Sequence, residues 1–148
     1  MLIENLRELF RRDLNKLKTE ISLFKQEEKI WQVGQDITNS AGNLTLHLIG
    51  NLNTYIGAEL GKTGYIRDRD AEFALKNIPR NVLLEKLDAT IAVVDRSLQE
   101  IKPEDLENDY SLMVFERKMT VGYFLLHLAM HLAYHLGQVN YQRRFFDN

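Results

Sequence analysis

Apolar residues recur at helical spacing in four separate segments, and this periodicity constrains the fold more than any other feature of the sequence. The clearest segment runs from about Leu2 to Glu28, where large apolar residues stand three or four positions apart with charged residues between them. This spacing lines the apolar side chains along one face of a long amphipathic helix. The stripe consists of Leu6, Phe10, Leu14, Leu17, Ile21 and Phe24.

The second helical segment runs from about Gly42 to Leu60, with an apolar stripe of Leu44, Leu48, Leu52 and Tyr55. Either Ser40 or Asn43 is placed to cap its first turn. A loop from Lys62 to Arg80 follows, with room for short helical turns.

The third segment begins near Asn81, and the fourth follows Thr120 as its N-cap and reaches Arg143 or Arg144. Four long helices without a convincing strand predict an all-α protein, a four-helix bundle with long crossover loops. We expect residues 1–148 to form one domain of this kind. The long linkers allow consecutive helices to run in the same direction.

Composition excludes several classes of protein. The absence of cysteine excludes disulfides, thiolate metal ligands and a cysteine nucleophile, and it fits a reducing compartment. A formal charge of −2, with acidic and basic residues interleaved, provides no field that would attract nucleic acid. No run approaches the roughly 20 apolar residues that span a bilayer, and the N-terminus lacks the apolar core of a signal peptide. We therefore expect a soluble, cytoplasmic protein.

All four histidines fall in two of the predicted helices, one at His47 and three at His127, His131 and His135. Residues four apart are offset by about 40° around a helix, so His131 and His135 project from one face, one turn apart. Two imidazoles at this spacing can hold one metal ion, and His47 is the remaining histidine on another helix. Spacing alone makes His127 as good a partner for His131 as His135 is.

Histidine ligands would favour a transition metal, because neutral imidazole binds zinc, nickel, copper or iron, whereas calcium and magnesium prefer oxygen. Three protein ligands leave a coordination position for water or substrate, as in catalytic sites. The alternative is a chance spacing of histidines whose ring nitrogens are hydrogen-bonded in the core. Gln138 and Gln142 continue the polar line, however, and burying so many polar groups requires a compensating partner.

Two motifs resemble those of the DinB/YfiT-like superfamily. The string from His131 to Gln138, HLAYHLGQ, resembles the HxxxHxGQ signature on the last helix of those proteins. Leu44 to Asn51 resembles their histidine-bearing second helix, and Asn43 to Phe73 is similar to an uncharacterised branch of the superfamily. The order and separation of the motifs agree over nearly the whole chain.

The resemblance implies a four-helix bundle, often homodimeric, with a divalent metal held by His47, His131 and His135. We expect zinc or nickel as the metal. Three histidines over two helical turns fan out by about 80°, so four histidines should not meet one ion, and the family pattern selects the two before Gly137. We therefore expect His127 to be a buried, hydrogen-bonded neighbour that is not a ligand. Some members of the superfamily are metal-dependent transferases or isomerases that use low-molecular-weight thiols, and others have no known activity. The resemblance does not imply DNA binding.

Two further residues are candidates for supporting the metal ligands. Gln138 could orient a metal-bound water or accept a hydrogen bond from the outer nitrogen of a ligand, and a helix-packing amide is the alternative. Asn51, one turn from His47, could play a similar part or be a buried amide of the bundle. Gly137 would allow another helix to approach closely.

Arg67 and Arg69 are candidate substrate-binding residues in the loop after the second helix. They could bind an acidic group, such as the carboxylate of a thiol cofactor. Ion pairs with Asp68, Asp70 or Glu72 are the alternative.

Two classes of function remain open. The first is a metal-dependent enzyme, a thiol-linked S-transferase or a hydrolase-like activity. The second is a non-catalytic small-molecule-binding or stress-related metal-binding protein. Both would be homodimers that bind neither nucleic acid nor membrane, and a roomy pocket at the metal would favour the enzyme.

Overall fold

The computed structural model describes all 148 residues, and its regular elements are helices. The five α-helices are α1 (Leu2–Leu23), α2 (Ala41–Leu52), α3 (Arg69–Ala74), α4 (Arg80–Gln99) and α5 (Val121–Phe146). A π-helical segment, Asn53–Ala58, continues α2, and 3-10 turns lie at Glu27–Trp31, Pro103–Glu107 and Val114–Glu116. Two isolated antiparallel bridges do not extend into strands. The predicted all-α fold is confirmed.

Helix α1 ends five residues earlier than the predicted boundary at Glu28. The chain leaves the helical conformation at Phe24, whose side chain is buried. Beyond it, the Asp147 carboxylate accepts hydrogen bonds from the backbone amides of Lys25 and Gln26. The C-terminus of the chain thus supplies the acceptors that another helical turn would have provided.

Two predicted caps begin the helices that matter most for the site. The Ser40 hydroxyl accepts a hydrogen bond from the Asn43 amide at 3.1 Å at the start of α2, which decides between the two predicted caps. The Thr120 hydroxyl accepts one from the Tyr123 amide at 3.1 Å at the start of α5. Every residue of α2 is buried, so this helix is the centre of the molecule.

Side-chain pairs between α1 and its neighbours define the relative directions of those helices. Arg7 pairs with Asp95, and Lys18 pairs with Asp88, so α1 and α4 are antiparallel. Glu20, near the end of α1, pairs with Arg143 near the end of α5. Since the first turns of α1 share a groove with the first half of α5, these two helices are parallel.

Helix α2 packs against the same two helices in the opposite sense. The Gln142 amide donates to the Asn39 carbonyl at one end, and the rings of Tyr55 and Phe124 meet at the other, so α2 and α5 are antiparallel. Asn53 donates to Thr90 and Gly61 lies against Ser97, so the segment that continues α2 runs parallel to α4. The long helices therefore run up, down, down and up, an order that the long crossover between α2 and α4 permits.

The core is a continuous cluster of buried apolar side chains contributed by all four long helices. The predicted stripe of α1 is buried throughout, at no more than 2% exposure. None of the helices is long and apolar enough to cross a membrane.

Candidate metal centre

Antiparallel packing of α2 against α5 brings three histidines together. The Nε2 atom of His131 lies 3.3 Å from Nε2 of His47 and 3.1 Å from Nε2 of His135. One ring nitrogen from each of the three residues lies within 4.8 Å of the other two. The three predicted ligands therefore share one site, at which their rings meet almost at right angles.

The nitrogen spacing fits a small divalent ion. Two nitrogen ligands about 2.0–2.1 Å from a tetrahedral zinc ion stand about 3.3 Å apart. The two closest separations here are 3.1 and 3.3 Å.

The outer nitrogen of His47 is held by a buried carboxylate. Nδ1 lies 3.1 Å from Oε1 of Glu72, a residue of the short helix α3 that is 6% exposed. Arg67 donates to the same carboxylate twice, from Nε at 2.9 Å and from Nη2 at 3.0 Å. The carboxylate can only accept, so Nδ1 of His47 carries the hydrogen and the lone pair of Nε2 faces the other histidines.

A glycine makes room for this carboxylate on α2. A Cβ atom at Gly50 would overlap the side chain of Glu72. Sequence reasoning named Glu72 only as one possible partner of the arginines and did not consider Gly50. The available signal was a glycine within an otherwise apolar helical pattern, which indicates a close approach of another group.

His135 is held in the same way from the other side. Its Nδ1 lies 2.7 Å from Oε1 of Gln138 on the same helix, so this nitrogen carries the hydrogen and Nε2 presents its lone pair to the centre. Of the alternatives for Gln138, the structure contains the hydrogen bond to a candidate ligand. Asn51 is buried, but its Oδ1 has no hydrogen-bond partner and it forms no recorded bond with His47.

The environment of the site disfavours the charged form of two of the imidazoles, those of His131 and His47. Burial, together with neighbouring His135 and His47, lowers the pKa of His131 to about 4. Burial also lowers the pKa of His47, against the opposing effect of Glu72. Neutral rings are the form that binds a metal. His131 Nδ1 is buried and has no hydrogen-bond partner. If the hydrogen of His131 is on Nδ1, the Nε2 lone pairs of all three histidines face one point. If it is on Nε2, that nitrogen instead donates to the neighbouring rings.

His127 lies outside the group of three, but its surroundings differ from the prediction. Its ring is half-buried, stacks on Phe124 with centroids 5.7 Å apart, and meets the edge of Phe115 at 5.1 Å. The expectation of a buried, hydrogen-bonded histidine is wrong, because the ring is only half-buried and packs against aromatic rings that offer it no hydrogen-bond acceptor.

The remaining candidates take different positions. Arg67 forms the ion pair with Glu72, one of the alternatives considered for it, and the Arg69 guanidinium lies 5.2 Å from the centroid of the Phe73 ring. Substrate binding by either arginine stays a prediction. The prediction that Gly137 allows another helix to approach closely is wrong, since a Cβ atom there would meet nothing within 4 Å.

A cavity of about 570 Å³ opens beside His135. His135 and Gln138 form part of its wall, together with aromatic residues of α5 and residues 36–39. A small molecule in this space would touch one of the three candidate ligands.

Comparison with known proteins gives one family. A family described as "Protein of unknown function (DUF1572)" matches residues 2–148. No curated protein matches the chain.

Proposed function

This chain belongs to the DUF1572 family, and we propose that it is a divalent-metal-dependent enzyme of the DinB/YfiT-like type. His47, His131 and His135 would hold the ion, with zinc or nickel as the expected metals. The observation that carries the proposal is the convergence of one ring nitrogen from each of three histidines. In two of these rings, those of His47 and His135, the other nitrogen is hydrogen-bonded to an acceptor. A chance cluster of core histidines would not need this arrangement.

The residues of the chain prepare the site for such an ion. Glu72 and Gln138 keep hydrogens on the outer nitrogens of two histidines, and Arg67 holds Glu72 in place. When bound, a metal with three imidazole ligands supplies an open position at which water or a thiol loses its proton more easily.

The cavity favours an enzyme over the alternative class. Its volume of about 570 Å³ lies within the range of small-molecule sites and includes one candidate ligand in its wall. We infer a thiol-linked S-transferase or a hydrolase-like activity, with a low-molecular-weight thiol as co-substrate in the first case. The alternative is a non-catalytic small-molecule-binding or stress-related protein that retains the metal.

We also propose that the protein is a homodimer. Large apolar side chains form an exposed line along the outer face of α5 at helical spacing, an arrangement typical of helices that pack against a partner. The line consists of Tyr123, Leu126, Met130, Tyr134, Tyr141 and Phe145.

Metal analysis of purified variants tests the site. We expect about one transition-metal ion per wild-type chain, and loss of that ion in His131→Ala and His135→Ala, because two imidazoles hold a divalent ion poorly. His127→Ala is the matched control on the same helix and should keep its metal. Undiminished metal in both ligand variants would refute the assigned site.

Turnover is tested on protein that carries the metal. Thiol consumption with an electrophilic acceptor is followed for wild type, for chelator-treated protein and for His135→Ala. Metal-dependent consumption above the uncatalysed rate would support the transferase. Equal rates in all three samples would favour the non-catalytic alternative.

A further inference from the structure

One of the three candidate ligands, His131, lacks a partner on its outer nitrogen. In the other two rings this nitrogen is bonded to Glu72 or to Gln138. Nδ1 of His131 is buried and has no hydrogen-bond partner. If His131 is to present the lone pair of Nε2 to an ion, its Nδ1 must carry the hydrogen and therefore needs an acceptor.

An acceptor without a partner is buried on α2, the helix that faces His131. Asn51 is 7% exposed, and its Oδ1 is buried without a hydrogen-bond partner. A buried amide oxygen that stays unpaired costs free energy, so native proteins usually satisfy such a group with another side chain or with a buried water.

The helical period of α2 directs Asn51 towards α5. The His47 ring meets those of two α5 histidines, and Leu44 lines a cavity together with residues of α5. At about 100° per residue, Leu44 is turned about 60° from His47 around the helix axis, and Asn51 about 40° in the same sense. Asn51 therefore projects between two residues that both face α5.

The position of Asn51 along the bundle also matches that of His131. Nε2 of His47 lies 3.3 Å from Nε2 of His131, and the rings of Tyr55 and Phe124 meet 5.2 Å apart. Asn51 lies midway between His47 and Tyr55, so it stands across from the turn that precedes His131. Side chains of a helix lean towards its N-terminus. Because α2 and α5 are antiparallel, the side chains of Asn51 and His131 lean towards each other.

We propose that Asn51 is the positioning residue of the third ligand and accepts the Nδ1 hydrogen of His131 through one bridging water. The two atoms do not bond directly, and a buried water is held by polar groups of this kind. Each of the three histidines then has its own acceptor on the outer nitrogen, and all three Nε2 lone pairs are directed to the ion. This inference rests on the proposed function, since it concerns the same metal site, and it makes Asn51 a partner of His131 rather than of His47.

Zinc affinity and imidazole NMR signals of the full-length protein test the inference. Asn51→Leu removes the acceptor at similar volume, so we expect zinc affinity, measured by competition with a chelator, to fall about 10- to 100-fold with helix content retained. Asn51→Asp keeps an acceptor and should retain most of the affinity. Thr54→Val is the matched control, because it removes another buried, unpaired polar atom from the segment that continues α2, and it should bind zinc as wild type does.

The NMR signal of the His131 Nδ1 hydrogen separates positioning from packing. In zinc-loaded protein this signal should shift in Asn51→Leu and stay in place in Thr54→Val. It should move downfield in Asn51→Asp, because a carboxylate is the stronger acceptor. Asn51→Asp also decides the matter if Asn51→Leu does not fold, since an unmoved signal there overturns the inference.

Two further results would overturn the inference: wild-type zinc affinity in Asn51→Leu, or equal losses of affinity in Asn51→Leu and Thr54→Val. Zinc analysis of the wild-type protein separates these outcomes from failure of the proposed function. Wild-type protein that binds zinc while Asn51→Leu binds it equally well refutes only the role of Asn51. Wild-type protein that binds no metal refutes the proposed function itself.

Discussion

At the scale of single residues, the side chains around His47 show what a buried carboxylate requires. Glu72 has almost no contact with solvent, so its charge must be balanced within the protein. Arg67 supplies two charge-assisted hydrogen bonds, and the imidazole of His47 supplies a third. Gly50 supplies the space. Glu72, Arg67 and Gly50 thus fix the orientation of one candidate ligand, His47.

Replacing Glu72 by glutamine tests whether this carboxylate serves the metal site. We expect metal affinity to fall about 10- to 100-fold, the usual effect of losing a carboxylate behind a histidine ligand, with helix content retained. Affinity is measured by competition with a chelator, and helix content by circular dichroism. Asp70→Asn, an exposed acid on the same short helix, is the control. Equal metal affinity in wild type and Glu72→Gln would assign the carboxylate a purely structural role.

A pair of glycine substitutions tests the space beside Glu72. Gly50→Ala introduces a Cβ into the carboxylate, so we expect a loss of about 1–3 kcal/mol in unfolding free energy together with weaker metal binding. Gly137→Ala meets nothing within 4 Å and should stabilise α5 by up to about 1 kcal/mol. Urea unfolding of both variants decides the matter. Similar stability changes of the same sign would contradict the packing described here.

At the scale of helices, ion pairs cross the seam between α1 and α4. Asp95 accepts hydrogen bonds from Arg7 at 3.0 and 3.2 Å and from Arg11 at 2.6 Å. The hydrogen bond with Arg7 is the main cause that lowers the pKa of the Asp95 carboxyl, and burial opposes it. The charged carboxylate therefore favours the folded state over the unfolded one.

This seam makes stability depend on pH in a definite direction. Because the pKa of Asp95 is lowered by folding, its stabilising effect is present above the ordinary value near 3.8 and is lost as pH falls through the folded-state pKa. Asp95→Asn should thus be less stable than wild type at pH 7, by no more than about 1 kcal/mol for a partly exposed pair. The difference should shrink in the acid range.

Urea unfolding of wild type and Asp95→Asn between neutral and acid pH measures this effect. Asp88→Asn removes a more exposed ion pair on the same seam, with Lys18, and should change stability less. A deficit in Asp95→Asn that stays constant down to the lowest pH at which the protein folds would exclude the ion pair as its source.

At the scale of the whole molecule, the outer face of α5 and the cavity beside His135 share residues. Tyr134, Tyr141 and Phe145 belong both to the exposed apolar line and to the cavity wall. A second chain packed along α5 would therefore lie close to the mouth of the cavity.

We expect light scattering to give twice the 17.3 kDa mass of one chain. Met130→Glu places a charge in the middle of the exposed line and should shift the protein towards the monomer, because burying an unpaired charge at an interface is costly. Ile66→Glu changes a residue that is equally apolar and 90% exposed but lies in the crossover loop, so its mass should remain that of wild type. A monomer mass for wild type at every concentration would refute the dimer.

The sequence by itself determined the features that depend on neighbours along the chain. Helical periodicity located the four long helices, and the cap at Thr120 fixed the start of α5, because both depend on residues within one or two turns. The proximity of His131 to His135 follows from the same local geometry. The grouping of His47 with this pair was predicted from the resemblance of the sequence to a family.

Only the tertiary structure decided what meets across the bundle. The convergence of His47 with α5 depends on antiparallel packing, and the meeting of Glu72 with Gly50 depends on the path of the crossover between α2 and α4. Asp147 ends α1 from the opposite end of the chain, and Phe115 gives His127 its aromatic surroundings. These contacts join residues far apart in sequence, and their geometry is set by packing of the whole core rather than by the period of any one helix.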